Sequence, residues 1–430
     1  MDADIAVLGA GPAGLAAASA AHRAGARVTL VDSAPRVGGQ YWRHRQGEDG
    51  PRTPVDFRAG HAIWHVERTG DGFTTHTDAG EIRSATVIVA TGAYDRQLPF
   101  PGWTLPGVYT AGGAQALLKG HGVVVGDRVV VAGTGPFLLP VAAGLAAAGA
   151  RVLGVFEAGS PLGFARHPAA VLRNPAKLAE GAAYLRVLRR HRVPFHTGQT
   201  VVAAHGGDRV EAVTVAKLGA DWRPVALRDL ECDAVAVGYG FTPQLEIPLQ
   251  LGCATHLDAD GSLVATADEH QRADVPGVYL AGEVCGVGGV DLSVVEGELA
   301  GRHAAGAPVP VRLVRRRAGL RSFAAAMHRT YPVRPGWQTW LADDTLVCRC
   351  EEVPVAAIKR SIVDLGATGA RAVKLLARPG MGLCQGRVCG YATACLAGPV
   401  TADDLRGFST RPIAAPISLG SLAEQHVEEP

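Results

Sequence analysis

The sequence predicts an α/β chain with two doubly wound parallel sheets and a small helical C-terminal unit. Three observations carry this. Gly9-x-Gly11-x-x-Gly14 follows one apolar strand and opens a small-residue helix. A second glycine turn, Gly133-Thr134-Gly135, repeats the strand, turn and helix pattern over a hundred residues later. Four cysteines, Cys348, Cys350, Cys384 and Cys389, then gather in a short stretch near the end.

Ile5 to Leu8 is a short apolar strand, and Pro12 to Ala24 a helix with Pro12 in its first turn, where a missing N–H costs nothing. Arg27 to Val31 is the next strand. Strand, helix, strand within about 30 residues is a right-handed crossover. Gly9 makes the tight turn, Gly11 lets backbone approach a pyrophosphate, and Gly14 lets helix and strand pack closely. The helix start, at Pro12 and Ala13, offers free N–H groups and partial positive charge to phosphates. Asp32 closes the second strand, about 20 residues on, where a carboxylate can take ribose hydroxyls. Ser33 follows it.

Two features favour FAD over NAD here. Gly38-Gly39-Gln40 lies beyond the acidic strand end, where a long cofactor must continue past its adenosine. Later, Gly277 to Ala281 delivers Gly282-Glu283 ahead of another helix, so that Glu283 can accept a ribityl hydroxyl. The helix start near Gly289 can then stabilise negative charge on a reduced flavin. Thr91-Gly92 ends a further strand, Ala85 to Ala90.

In the second unit Arg128 to Ala132 is a strand, Phe137 to Ala148 a helix and Arg151 to Phe156 a strand. Leu138 occupies the third glycine position. Glu157 follows the strand and could hold a ribose, with no arginine cluster behind it for a 2′-phosphate. Gly133, Gly135 and Glu157 therefore mark a second nucleotide site, for NAD, another nucleotide or none.

Cys348-x-Cys350 and Cys384-x4-Cys389, with 33 residues between the pairs, suit a tetrahedral thiolate site for Fe–S or zinc. Spacings of one and four residues are atypical of zinc ribbons. Glycines at 380, 382 and 386 let N–H groups point at cluster sulfides. The segment from Val353 to Ala367 reads as a helix. Cys232, Cys253 and Cys285 stand alone, so thiol–disulfide exchange lacks a resolving partner.

The glycine motifs, with Ala90-Thr91-Gly92 and Ala281-Gly282-Glu283, resemble the flavoprotein family related to thioredoxin and glutathione reductases. The run Pro101-Gly102-Trp103-Thr104-Leu105-Pro106-Gly107-Val108, then Thr110-Ala111-Gly112-Gly113-Ala114-Gln115, is more specific. It resembles the larger flavin subunit of opine oxidase, D-hydroxyproline and dye-linked L-proline dehydrogenases and hydrogen cyanide synthase. Glu283 departs from the family's usual Asp. The Cys-x-Cys-Glu-Glu-Val opening and Gly-Met-Gly-x-Cys-Gln-Gly-x-x-Cys closing resemble the [2Fe–2S] ferredoxin-like domain associated with bacterioferritin. The resemblance implies two Rossmann-like dinucleotide-binding domains of the glutathione/thioredoxin-reductase kind, the FAD domain being discontinuous, and a helical [2Fe–2S] domain. The expected boundaries are 1–115 with 251–325 for FAD, 116–250 for the second nucleotide and 341–397 for the cluster. Residues 398–430 are expected to be an arm packing on a partner.

The resemblance further implies an electron-transfer subunit of a hetero-oligomeric amine or imino-acid dehydrogenase. Its partner would be a flavoprotein β subunit of D-amino-acid-oxidase type, with room for a small third subunit. The alternative is a stand-alone NADH-dependent reductase. No catalytic acid or base stands out; the fifteen histidines are scattered. The formal charge is +2, with no basic patch to suggest nucleic acid. No run of about 18 apolar residues predicts a membrane span. Eight cysteines without a secretion signal point to thiols or ligands and a cytoplasmic protein.

Overall fold

The computed structural model describes residues 2–44 and 53–425. Its first sheet is built from β1 (Ala3–Leu8), β2 (Val28–Asp32), β3 (Asp56–Ala59), β4 (Ile63–Thr69), β5 (Gly72–Thr77) and β6 (Gly80–Val89), with helix α1 (Pro12–Arg23) crossing from β1 to β2. Strand order is β3-β2-β1-β6-β5-β4. The β3-β2-β1-β6 half is parallel, and β4, β5 and β6 pair antiparallel. Along β1 every residue from Ile5 to Leu8 is buried, as expected of a strand covered on both faces.

The chain leaves through β7 (Ala93–Asp95) and enters a second unit. Its elements are β8 (Val108–Thr110), α2 (Ala111–His121), β9 (Arg128–Gly133), α3 (Leu138–Ala147), β10 (Arg151–Glu157), α4 (Pro168–Leu172), α5 (Pro175–Arg190), β11 (Phe195–Thr197), β12 (Gln199–His205), β13 (Ala212–Leu218), β14 (Pro224–Glu231) and β15 (Ala234–Gly238). They form a parallel sheet of order β11-β10-β9-β15-β8 and an antiparallel β12-β13-β14. The chain returns through β16 (Phe241–Pro243), which pairs antiparallel with β7. The sheets correct the expected boundary at residue 115. β8 pairs with β15, and α2 packs on the second sheet's core, because Tyr109 and Ala111 belong with Val129, Leu138 and Ala236. The crossover is therefore the β7–β16 ribbon.

After α6 (Glu246–Gln250), β17 (Thr255–Leu257) and β18 (Leu263–Ala265), the strand β19 (Val278–Leu280) rejoins the first sheet beside β6. Helix α7 (Val290–Ala304) then lies on α1. The contact is very close: a Cβ on Gly297 would strike the Ala13 carbonyl, and one on Gly301 the Ala17 carbonyl. Helix α8 (Val311–Thr330) follows.

The C-terminal unit holds β20 (Leu346–Cys348), β21 (Val353–Pro354), α9 (Val355–Val363), α10 (Ala370–Ala377) and α11 (Gly390–Ala397). Its core is continuous with the second unit: Val347, Val353 and Ile358 share one buried cluster with Trp103, Val201 and Trp340. Trp103 donates its indole N–H to the Leu346 carbonyl at 2.6 Å. The described part of the expected arm, up to residue 425, carries two helices. It contains α12 (Ala402–Ser409), opened by a reciprocal capping box of Thr401 and Asp404, and α13 (Leu419–Gln425). Phe408 on α12 is buried against the cysteine unit, where it abuts Gly380, Gly386 and Gly390.

Candidate functional site

The first glycine turn does what its spacing requires. Gly9 sits at φ +105°, a left-handed conformation that side chains resist, and its N–H donates to the Val31 carbonyl at 2.8 Å. A Cβ on Gly14 would collide with the Gly9 carbonyl, whereas one on Gly11 would meet no atom within 4 Å. The helix is thus packed close at Gly14 and open at Gly11, next to the free N–H groups at the start of α1. Asp32 adds a task beyond the one expected of it. Its carboxylate accepts the N–H groups of Ala10 at 2.6 Å and Ala34 at 2.8 Å, locking the turn and the Ser33 segment together.

The other expected flavin residues converge on this turn. The Gly38 N–H donates to the Ala10 carbonyl, and Gly39, at φ +56°, lies against Gly11 just before Gln40. Gly282 presses on Ala13, and its N–H donates to Glu296. Thr91 donates to the Gln244 carbonyl, and Gly92 faces open space. Gly289, at φ +80°, precedes α7 and likewise has nothing within 4 Å of a would-be Cβ. Gly11, Gly92 and Gly289 are thus each open where a Cβ would stand. Glu283 is half-buried. Burial raises its carboxyl pKa, and the Gly289 N–H works in the opposite direction.

Sequence reasoning missed the support behind this loop. Glu296 is fully buried and accepts the Arg321 guanidinium through two bonds, at 2.7 and 2.8 Å. Arg321 also donates to the Gly286 carbonyl. Three consecutive arginines, Arg315 to Arg317, lie on the same helix as Arg321, and Arg317 reaches Glu296 at 3.3 Å.

The second glycine turn differs. Gly133 (φ +132°) and Gly135 (φ +107°) keep the left-handed backbone, and Gly135 faces open space. Yet α3 begins only at Leu138, whereas α1 begins directly after Gly11. Glu157 is bonded in this turn much as Asp32 is in the first. Its side chain is buried, accepting Thr134 Oγ1 at 2.7 Å, the Gly135 N–H at 2.8 Å and the Gly159 N–H at 2.7 Å. Burial pushes its pKa up to about 7 despite these donors.

The four cysteines named above come together where the units meet. Contacts between thiols run from Cys348 to Cys389, Cys389 to Cys384 and Cys384 to Cys350. The hydrogen bond from Cys389 lowers Cys384 to about 4 against the effect of burial, helped by the N–H groups of Val388 and Gly386. Cys348 falls to about 6, again first through Cys389, and the Cys389 thiol rises correspondingly. Such acidic thiols suit metal ligation. A cavity of about 320 Å³ adjoins the cage, with Asp95, Gln97, Trp103 and Thr110 on its far wall. Asp95 takes the Thr110 hydroxyl at 2.7 Å and the Gly112 N–H, and so caps α2.

Cys232, Cys253 and Cys285 have thiols that burial pushes up, Cys285 to about 12. All eight cysteines are free. Asp258, Asp260 and His328 also bring donor atoms together, but they form ion pairs: Asp260 with Arg96 at 3.0 Å, and Asp258 with His328 at 3.0 Å.

Comparison with known proteins agrees with this geometry. Residues 3–304 match the family described as pyridine nucleotide-disulphide oxidoreductase. The chain is 34% identical to an opine oxidase subunit of Rhizobium meliloti, covering 98% of each chain. It is 34% identical to the HcnB subunit of hydrogen cyanide synthase from Pseudomonas aeruginosa, over 90% of this chain and 91% of that one. Among solved structures, L-proline dehydrogenase of P. horikoshii superposes with a TM-score of 0.69 at 19% identity, covering 98% of this chain and 79% of the other.

Proposed function

Because this chain belongs to the pyridine nucleotide-disulphide oxidoreductase family, together with its opine oxidase and hydrogen cyanide synthase relatives, we propose that it is the electron-transfer subunit of a hetero-oligomeric amine or imino-acid dehydrogenase. It is an FAD-dependent oxidoreductase by family. In our reading it pairs that flavin with a [2Fe–2S] cluster and works beside a D-amino-acid-oxidase-like flavoprotein subunit. FAD exchanges electrons singly or in pairs, and a [2Fe–2S] cluster exchanges one, so holding both joins substrate oxidation to single-electron carriage.

The observation that carries this reading is the four-thiol cage against β7, the strand that continues from the flavin-side turn at Thr91-Gly92. The residues divide the work. Gly9, Gly11 and Gly14 shape the pyrophosphate seat, and Asp32 fixes it. Gly282 and Glu283 face the ribityl chain, with Glu296 and Arg321 holding their loop. Cys348, Cys350, Cys384 and Cys389 ligate the irons. The second reading, an NADH reductase, is opposed by the late start of α3, with Leu138 in the third glycine position.

The purified chain, reduced with dithionite, is expected to give a rhombic [2Fe–2S] EPR signal. Cys384→Ser should abolish that signal and keep the flavin absorbance. The flavin should bleach with an amine or imino acid only when the partner protein is added. Rapid bleaching of the isolated chain by NADH would overturn this reading in favour of the reductase.

A further inference from the structure

Resting on the cluster reading above, we propose that Arg411, in the C-terminal arm, is a positioning residue of the cysteine cage, and that the Arg411–Glu246–Arg387 triad biases the cluster toward its reduced state.

Arg411 lies twenty-two residues beyond Cys389 in sequence, yet its guanidinium reaches into the closing loop of the cage. It donates to the backbone carbonyls of Gln385 and Phe408 and to Gln385 Oε1 at 3.3 Å. Gln385 is the residue directly after Cys384, and it stands at φ +52°, followed by Gly386 at φ +85°. A non-glycine residue in the left-handed region needs outside support, and Arg411 holds both its main chain and its side chain. The same guanidinium lies 3.3 Å from Glu246 Oε1 at the start of α6; both side chains are only 8% exposed.

Arg387, inside the loop itself, lies 2.8 Å from the same Glu246 oxygen. It also donates to Tyr94 Oη on β7 at 2.9 Å and to the carbonyls of Cys384 and Ala414. The arm, the cage loop and the flavin-side ribbon therefore meet on one carboxylate. Two guanidiniums share that single anion, which leaves one net positive charge under Cys384. Arginine does not deprotonate in proteins, so the charge is permanent. Reduction adds a negative charge to the cluster, and a largely buried cation close by favours it.

The sign of the effect separates charge from mere packing. In potentiometric EPR titrations of the full-length protein, Arg411→Gln is expected to make one-electron reduction about tenfold less favourable, a potential about 59 mV lower. Glu246→Gln, which frees both guanidiniums, should move it the opposite way by a similar factor. Arg411→Lys keeps the charge and should stay near the parent. Shifts in the same direction for Arg411→Gln and Glu246→Gln, or no shift in either with the signal retained, would overturn the proposal. Where Arg411→Gln yields protein without a cluster, Glu246→Gln decides alone: a rise supports the proposal and an unchanged potential sinks it. An unsubstituted protein lacking iron and EPR signal would instead refute the cluster reading on which the proposal stands.

Discussion

Leu138 stands where Gly14 stands in the first turn, and the fold accommodates it from across the sheet. Its side chain fills space beside Gly238, where a Cβ would approach Leu138 to 3.3 Å and Ala111 to 3.0 Å. A glycine lost from the motif is matched by one in β15, a pairing no spacing rule reveals. Gly14 has no such relief. Gly14→Val must push α1 off the Gly9 carbonyl, and overpacking of this kind costs about 1–3 kcal/mol. Purified Gly14→Val should therefore retain flavin about tenfold or more weakly, read from the ratio of flavin to protein absorbance.

A second expectation at this scale concerns pH. Burial opposes charge on His328, but the bond to Asp258 and the charges of Asp260 and Asp258 outweigh it and raise the imidazole pKa. Burial also opposes charge on Asp258, yet His328 and the Ala259 N–H bring it down to about 2. The raised histidine contributes stability fully below its unfolded value of about 6.5, and loses that contribution as pH climbs through the folded value. The depressed aspartate contributes above about 3.9, and its contribution falls away as pH drops toward 2. The melting-temperature difference between the parent and His328→Gln should thus be larger at about pH 5.5 than at about pH 9. An equal difference at both would show that the pair contributes no charge-dependent stability.

Among the elements, α1 and α7 govern the flavin cradle together. Gly297 and Gly301 let α7 settle on the backbone of α1, and Gly282, ahead of α7, packs against Ala13. Gly297→Leu should separate the helices and lower flavin content and melting temperature together, whereas Gly319→Ala, on α8 with open space around it, should leave both unchanged. The two glycine turns were equally legible as turns. What differed was where each helix began: α1 at Pro12, which is pre-shaped for a first turn, and α3 at Leu138. In both turns the carboxylate that ends the next strand bonds back to the glycine loop, Glu157 to Thr134, Gly135 and Gly159 and Asp32 to Ala10 and Ala34. Glu157 looked like a ribose ligand because its place after a strand is the same as that of Asp32.

Across the whole molecule, the cysteine unit is not a detachable module. Its apolar residues complete a core begun by Trp103, Trp222 and the β12-β13-β14 sheet. A chain ended after residue 340 should expose this face and aggregate, and the full chain should unfold the two units in one calorimetric transition. Two separable transitions there would contradict a shared core. Among the described residues no helix is long and apolar enough to cross a membrane.

The sequence by itself determined the turns, the strands beside them and the four cysteines, since these follow from local constraints: a left-handed backbone, a missing Cβ, a period of two or 3.6, a ligand spacing. Tertiary structure alone decided that β8 belongs to the second sheet, that Glu157 is satisfied internally, and that the arm folds back so that Arg411 meets Glu246. Those outcomes depend on contacts between residues far apart in the chain, where partners are chosen by shape and charge in three dimensions and leave no periodic trace along the sequence.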